Sequence, residues 1–246
     1  MGFLTIWPQM IQTKNCIHFL SLSPSRHFHN KNINAAQRIG PHNINALSIL
    51  VAGLLGDCWG EKRIGSTRFH IHMGSRNVEY LHWLHQSLVR LGYCSNKNVS
   101  QTKQIGKGGK IYYSYRFRTW SFMSLNWLYD LFYYRDSKRL SIKRIPVNIR
   151  EYLTPAALAI WLMDDGGISG SGVKISTDGF TRGDVLCLQA ALLSNFNLST
   201  TIQAHKKNWV LYFPNRELPL LTQIAKPHMI PSMYYKLNES ARGNAI

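Results

Sequence analysis

Two apolar, small-residue-rich segments that each lead into an aspartate constrain the fold of this chain most strongly. Residues 46–55 precede Asp57, and a segment that opens with Thr154 and Pro155 precedes Asp165. Glycine inside a helix costs about 0.5–1 kcal/mol relative to alanine, so Gly53 and Gly56 need a compensating close contact. The sequence therefore predicts two helices that pack against each other and bring the two aspartates together.

An internal repeat follows these two helices, with the same order of periodicities after each. Alternating and helical patterns in the first copy predict a strand over 67–73, a helix over 78–91, strands over 98–104 and 111–120, and a helix over 122–134. In the second copy they predict a strand over 173–178, a helix over 182–196, strands over 200–205 and 209–213, and a helix over 216–225. Two similar halves are expected.

The flanking and connecting segments differ from the two halves in composition. Residues 1–40 contain no acidic residue and show no sustained hydrophobic period, which predicts a leader-like or flexible extension outside the fold. The expected organisation is a first half over 41–135, a basic linker over 136–151, a second half over 152–238 and a tail over 239–246. The linker is either a solvated connector or part of the functional site.

The charge balance indicates a polyanionic partner. The chain has 29 lysines and arginines against 12 acids, for a formal net charge of +17. These basic residues alternate with aromatic residues in periodic segments, which favours a folded basic surface over a disordered tail. No long apolar span is present, so nucleic acid is a better candidate than a membrane.

Asp57 and Asp165 are candidate ligands of a divalent cation. A carboxylate at a helix C-terminus faces the negative end of the helix dipole, at a cost of about 0.3–1 kcal/mol. Magnesium binds through one or two carboxylates with carbonyls, water and substrate phosphate, and it assists phosphodiester hydrolysis. Either aspartate alone could be an ordinary turn residue, but their equivalent places in a repeat favour a shared metal site.

Residues 50–58 (LVAGLLGDC) and 158–166 (LAIWLMDDG) resemble the two motifs of single-chain LAGLIDADG homing endonucleases, and the likeness extends over residues 41–238. The tail KPHMIPSMYYKL is similar to members encoded by mitochondrial group I introns. The resemblance implies an α+β fold of two pseudo-symmetric αββαββα halves, each with a saddle-shaped antiparallel sheet, packed through the two LAGLIDADG helices. It also implies a monomer that makes a metal-dependent double-strand break at a long DNA site and promotes intron mobility.

The same resemblance assigns roles to residues of the motifs. It implies that Asp57 and Asp165 bind metal, with the backbone carbonyls of Gly56 and Asp164 close by. Catalytic basic residues near the scissile phosphates would be Lys236 in one half and, in the other, Arg144 or its neighbour Lys143. Mg²⁺ is the implied cofactor, with Mn²⁺ substituting and Ca²⁺ supporting binding without cutting. Cys58 departs from the final glycine of the motif, which weakens the match without touching the ligand.

Double-stranded DNA would be read by the polar faces of the two sheets, with further lysines around the hairpin turns. The alternative for each of these residues is a solvent-facing position with no contact. The candidate DNA-binding residues are Arg68, His70, His72, Lys103, Lys107, Lys110, Arg116, Arg118, Lys174, Ser176, Gln203, His205, Lys206 and Lys207.

Two other functions remain open on the sequence alone. One is an RNA maturase that assists the splicing of its own group I intron, and the other is a non-cleaving DNA-binding protein on the same scaffold. Retention of both aspartates favours cutting. A mitochondrial location is expected, with the chloroplast as the alternative.

Overall fold

The structure is a computed structural model that describes residues 33–138 and 140–237. Residues 1–32 of the predicted extension, Arg139 of the linker and the predicted tail over 239–246 lie outside the described residues. The elements of the first half are α1 (Ile44–Leu55), β1 (Cys58–Arg63), β2 (Ser66–Gly74), α2 (Val78–Arg90), β3 (Ser100–Ile105), β4 (Ile111–Arg118) and α3 (Asn126–Phe132). A short hairpin follows, formed by β5 (Tyr133–Arg135) and β6 (Ser141–Lys143).

The second half repeats this order and ends in a 3-10 segment, Pro231–Leu237. Its elements are α4 (Pro155–Asp165), β7 (Gly166–Ser169), β8 (Gly172–Ser176), α5 (Arg182–Phe196), β9 (Thr201–His205), β10 (Asn208–Phe213) and α6 (Leu218–Ala225). Each half contains one antiparallel four-stranded sheet, in the orders β1-β2-β4-β3 and β7-β8-β10-β9. The predicted α+β fold of two equivalent halves is confirmed.

The two helices α1 and α4 pack against each other, as predicted. Thr154 caps α4 by accepting from the Ala157 amide at 3.1 Å, and its hydroxyl also lies 2.8 Å from the Ser48 hydroxyl of α1. At the other end of the pair, a Cβ added to Gly56 would lie 2.6 Å from Asp164 Oδ2. Hydrogen bonding at one end and steric fit at the other therefore fix the alignment of the helices.

Gly53 serves a different contact from the one predicted for it. A Cβ at this position would lie 2.8 Å from the Cβ of Cys58, within the same half. The glycine therefore makes room for the turn from α1 into β1, whereas Gly56 makes room for α4.

One apolar core runs through both halves, and the helix pair lies at its centre. Leu50 and Leu54 of α1 and Leu158 and Trp161 of α4 have no exposed surface. The outer helices cover the inner faces of the sheets through residues such as Leu81. Among the described residues, no helix is both long and apolar enough to cross a membrane.

The residue patterns do not locate β1 and β7, the first strand of each sheet. Only Cys58 of β1 is buried, because β1 is an edge strand whose other residues are partly or fully exposed. β7 has the sequence GGIS, in which glycine hides the alternation. Edge strands carry a weak hydrophobic pattern, so sequence periodicity finds them poorly.

The predicted helix over 122–134 is too long at both ends. Phe122 instead pairs with Thr67, with backbone hydrogen bonds of 2.8 and 2.9 Å. Tyr133 adopts extended backbone angles and pairs with Lys143. The linker is therefore not only a connector, because part of it forms the β5–β6 hairpin.

The predicted boundary at residue 40 lies too far along the chain. Arg38 is 5% exposed and donates to the Ser121 carbonyl at 2.7 Å. Its guanidinium carbon lies 5.4 Å from the centroid of the Trp120 ring. Met123 donates its amide to the Ala35 carbonyl at 3.1 Å, so residues 35–38 belong to the first half.

Candidate functional site

Asp57 and Asp165 lie at equivalent ends of the helix pair. Asp57 follows Gly56, the C-cap of α1, and Asp165 is the last residue of α4. Burial raises the pKa of Asp165 and the charge of Asp57 raises it further, to about 7. The Asp57 side chain is exposed to solvent, but the surrounding protein still desolvates its carboxylate enough to raise its pKa. The two carboxylates are close enough to interact electrostatically.

Two lysines, one at the end of each half, lie beside this acidic pair. Lys143 Nζ donates to the Cys58 carbonyl at 3.0 Å, and Lys236 Nζ donates to the Asp164 carbonyl at 3.0 Å and to the Met163 carbonyl. Burial lowers the pKa of both lysines, whereas the neighbouring aspartates oppose this shift. Both ammonium groups in turn lower the pKa of Asp165.

Arg144 lies elsewhere. Its Nε donates to the Leu131 carbonyl and its Nη2 to the Asp130 carbonyl, each at 3.2 Å. The guanidinium also stacks on Tyr134, 5.8 Å from the ring centroid. Of the two basic neighbours considered from the sequence, the structure brings Lys143 to the aspartates and places Arg144 on the end of α3.

Asp164 adds a third carboxyl group at the helix interface. Its Oδ1 accepts from the Tyr80 hydroxyl of α2 at 2.7 Å. Burial raises the pKa of Asp164 well above its usual range, and the charges of Asp57 and Asp165 add to this shift. Sequence reasoning missed Tyr80, because its spacing in α2 is that of an ordinary core residue.

The donor set suits a hard divalent cation. Among the described residues, no group of three or more His, Cys, Asp and Glu side chains could hold a metal ion. Two carboxylates with nearby backbone carbonyls remain, which match the few protein ligands that Mg²⁺ takes when water and phosphate complete its shell. Burial and the charge of Asp57 raise the pKa of Asp165, and a cation bound beside both carboxylates would favour their ionised forms.

The polar face of the first sheet carries five of the predicted basic residues. His70 pairs with Arg118, and His72 pairs with Arg116, across β2 and β4. Arg68 precedes them on the same face of β2, where the burial pattern alternates as predicted. The structure therefore brings these residues onto one surface.

Two residues of β1 that sequence reasoning missed lie on this face. Trp59 pairs with His70 and stacks on its ring at a centroid distance of 5.0 Å. Glu61 pairs with Arg68 and binds it. Neither could be placed, because β1 itself carries no clear pattern.

The hairpin lysines of the first half do not all share the polar face. Lys107 and Lys110 are exposed at the β3–β4 turn, where Gly108 has φ 73° and Gly109 has φ 75°. Lys103 pairs with Tyr113, and this register places it on the sheet face opposite to that of Arg116.

The second sheet presents a less basic face. The β8–β10–β9 register aligns Lys174 with Tyr212 and Thr201, and it aligns Ser176 with Val210 and Gln203. The predicted His205, Lys206 and Lys207 are exposed at the β9–β10 turn. The strands of this sheet contain no arginine, in contrast to the first sheet.

Comparison with known proteins identifies the class to which this architecture belongs. The model of the LAGLIDADG DNA endonuclease family matches residues 47–221, and the chain belongs to this family. The solved structure of the homing endonuclease I-WcaI bound to its DNA recognition sequence has the same fold. Its TM-score is 0.70 at 22% identity, and the match covers 89% of this chain and 95% of that one.

Among the curated relatives are proteins named as maturases and as endonucleases. The chain is 43% identical over 206 residues to the cytochrome b mRNA maturase bI2 of Saccharomyces cerevisiae. The aligned region covers 81% of this chain and 48% of that protein. It is 39% identical over 152 residues to the intron-encoded endonuclease ai4 of Dictyostelium discoideum. This alignment covers 59% of this chain and 92% of that protein. The chain thus spans about half the length of the yeast maturase.

Proposed function

We propose that this protein is a homing endonuclease that makes a metal-dependent double-strand break at a long DNA site and so promotes the mobility of its intron. One observation carries the proposal: Asp57 and Asp165, at the ends of α1 and α4, are close enough to interact electrostatically, and Lys143 and Lys236 lie beside them. Membership of the LAGLIDADG DNA endonuclease family supports it.

Binding would use the polar faces of both sheets along one duplex. From their strands, Arg116, Arg118 and Lys174 would reach base edges or phosphates. Exposed turn residues such as Lys107 and Lys206 would bind the phosphate backbone. The net charge of +17 predicts strongly salt-dependent affinity. Because one chain carries both sheets and both aspartates, it would act as a monomer.

The proposed metal ligands are the carboxylates of Asp57 and Asp165 with the backbone carbonyls of Gly56 and Asp164. Bound Mg²⁺ would polarise the scissile phosphate and assist ionisation of the attacking water. Mn²⁺ should substitute for it, and Ca²⁺ should support binding alone. Lys143 and Lys236 would stabilise the negative charge that develops on each phosphate.

The test is incubation of the protein with a plasmid that carries the intron-less exon junction, in Mg²⁺ and in EDTA. A staggered double-strand cut at the junction in Mg²⁺, with none in EDTA, is expected. Asp57→Asn and Asp165→Asn should lose this cut. Asp136→Asn is their matched control and should keep it, because Asp136 lies in the β5–β6 turn and asparagine keeps its side-chain acceptor oxygen. Binding to the junction without cleavage in Mg²⁺ or Mn²⁺ would leave only a DNA-binding protein.

A second candidate function is that of a maturase for the intron that encodes the protein. Two relatives are named cytochrome b mRNA maturase bI2, and these names also support a mitochondrial location. Splicing of the intron RNA should then continue in the Asp57→Asn variant. Unchanged splicing with and without protein would exclude this role.

A further inference from the structure

Glu61 is the one acidic residue among the eight strands of the two four-stranded sheets, all of which lie in the described part of the chain. Its register partner is Arg68, so it lies on the polar face of the first sheet. A carboxylate on a surface that binds phosphate weakens binding through repulsion. Its presence there needs a compensating role.

The carboxylate of Glu61 is engaged by three neighbours. Oε2 accepts from Arg68 Nε at 2.5 Å and from His70 Nε2 at 2.8 Å, and Oε1 accepts from Arg63 Nε. The side chains of Glu61, Arg68 and His70 are no more than 24% exposed, so these bonds are partly shielded from water. The hydrogen bond from Arg68, with those from His70 and Arg63, lowers the pKa of Glu61 to about 2, which keeps it ionised.

These bonds determine which atoms of the two neighbours remain for another partner. With Nε of Arg68 on Glu61, no hydrogen bond within the described part of the chain occupies its two Nη groups. This pair is the fork that recognises guanine O6 and N7. An ionised carboxylate only accepts, so Nε2 of His70 carries a proton, and in neutral His70 the Nδ1 atom is an acceptor.

The His70 ring is fixed from a second side. Trp59 stacks on it with an interplanar angle of 8°. The hydrogen bond to Glu61 and the stacking on Trp59 together therefore fix the orientation and position of the His70 imidazole. A polar group that must read a base edge benefits from such preorganisation, because binding then costs less side-chain entropy.

We propose that Glu61 is a positioning residue for sequence recognition, which orients Arg68 and His70 so that they read base edges in the half-site under the first sheet. The inference rests on the proposed binding of DNA by the sheet faces. It predicts opposite effects on base discrimination and on non-specific affinity when the carboxylate is removed. Discrimination between bases falls, while affinity for unrelated DNA rises.

The experiment selects duplexes from a pool of randomised DNA by binding in Ca²⁺, with wild type, Glu61→Gln and Arg68→Met. Arg68→Met defines the base positions that depend on Arg68. An arginine–guanine pair discriminates by about 5- to 150-fold, and Glu61→Gln should reduce the preference at those positions by about fivefold or more. Its affinity for unrelated duplex at 0.1 M salt should rise about two- to eightfold.

Two further variants distinguish the position of the Glu61 carboxylate from its charge. Glu79→Gln removes an exposed acid in α2 and should leave the selected sequence unchanged. Glu61→Asp keeps the charge but shortens the side chain, so it should lose base preference without the gain in affinity for unrelated DNA. Thermal melting of each variant checks that the sheet remains folded.

The outcomes distinguish this inference from the proposed function. Enrichment of the same sequence by wild type and Glu61→Gln, with preferences within twofold, would overturn the positioning role alone. Wild-type preferences in Glu61→Asp would also overturn it, because charge and not position would then explain the effect of Glu61→Gln. Failure of the wild type to enrich any sequence would overturn the proposed function together with the inference.

Discussion

The Tyr80 hydroxyl donates a 2.7 Å hydrogen bond to Asp164 Oδ1 and thereby joins α2 of the first half to α4 of the second. Tyr80 has no exposed surface, so water cannot replace this donor. The bond holds the carboxyl group of Asp164 beside Gly56, next to the metal-binding aspartate proposed for each half. A contact outside the two motifs therefore takes part in aligning them.

Tyr80→Phe should lower the free energy of unfolding by about 1–3 kcal/mol, because it removes a buried hydrogen bond to Asp164 Oδ1 that water cannot replace. Urea unfolding of the purified protein measures the loss. Tyr235→Phe is the matched control, since Tyr235 is 59% exposed and should change stability by less than about 0.5 kcal/mol. Equal unfolding midpoints for the two variants would show that the Tyr80 bond contributes nothing.

Gly53→Ala should have opposite effects in two backgrounds. In the natural chain the new Cβ would lie 2.8 Å from Cys58 Cβ, and overpacking of this kind costs about 1–3 kcal/mol. In a Cys58→Gly background the clash is absent, and alanine in a helix should gain about 0.5–1 kcal/mol over glycine. The four chains of this double-mutant cycle are compared by thermal melting. Additive effects would contradict the assignment of Gly53 to Cys58.

The Asp165 carboxyl should contribute to the stability of the metal-free protein a component that falls as pH rises from about 4 to about 7. Burial and the charge of Asp57 raise the pKa of Asp165 to about 7, whereas an unfolded aspartate titrates near 3.9. Between these values the folded state binds more protons than the unfolded state, so the free energy of unfolding decreases with pH. Asp165→Asn should lack this component when both proteins are unfolded in EDTA. Parallel pH profiles for the two would refute it.

The helix pair could be predicted from the sequence because its signals are local. Thr154 and Pro155 mark the start of α4, continuous apolar residues mark its burial, and an aspartate lies at the C-terminal end of each apolar segment. Register is not a local signal, and it decides between Lys143 and Arg144. Adjacent strand residues point to opposite faces, so a shift of one position exchanges them.

Contacts between elements were beyond prediction for the same reason. Tyr80 has the spacing of a core residue, and only the packing of α2 beside α4 gives its hydroxyl a partner. Glu61 acquires its role from strand pairing, which requires β1 to be located first. The edge strands lack the alternation that would reveal them, so the sequence alone does not predict the contacts of Glu61 with Arg68 and His70.

The central claim is that one metal centre depends on one aspartate from each half. The most direct measurement compares wild type, Asp57→Asn and Asp165→Asn on the intron-less exon-junction duplex, with cleavage followed in Mg²⁺ and binding measured in Ca²⁺. Each variant should bind within about threefold of wild type and lose double-strand cleavage by at least about 100-fold, a loss of about 2.7 kcal/mol or more in transition-state stabilisation. Cleavage by either variant at a rate close to that of wild type would contradict the account.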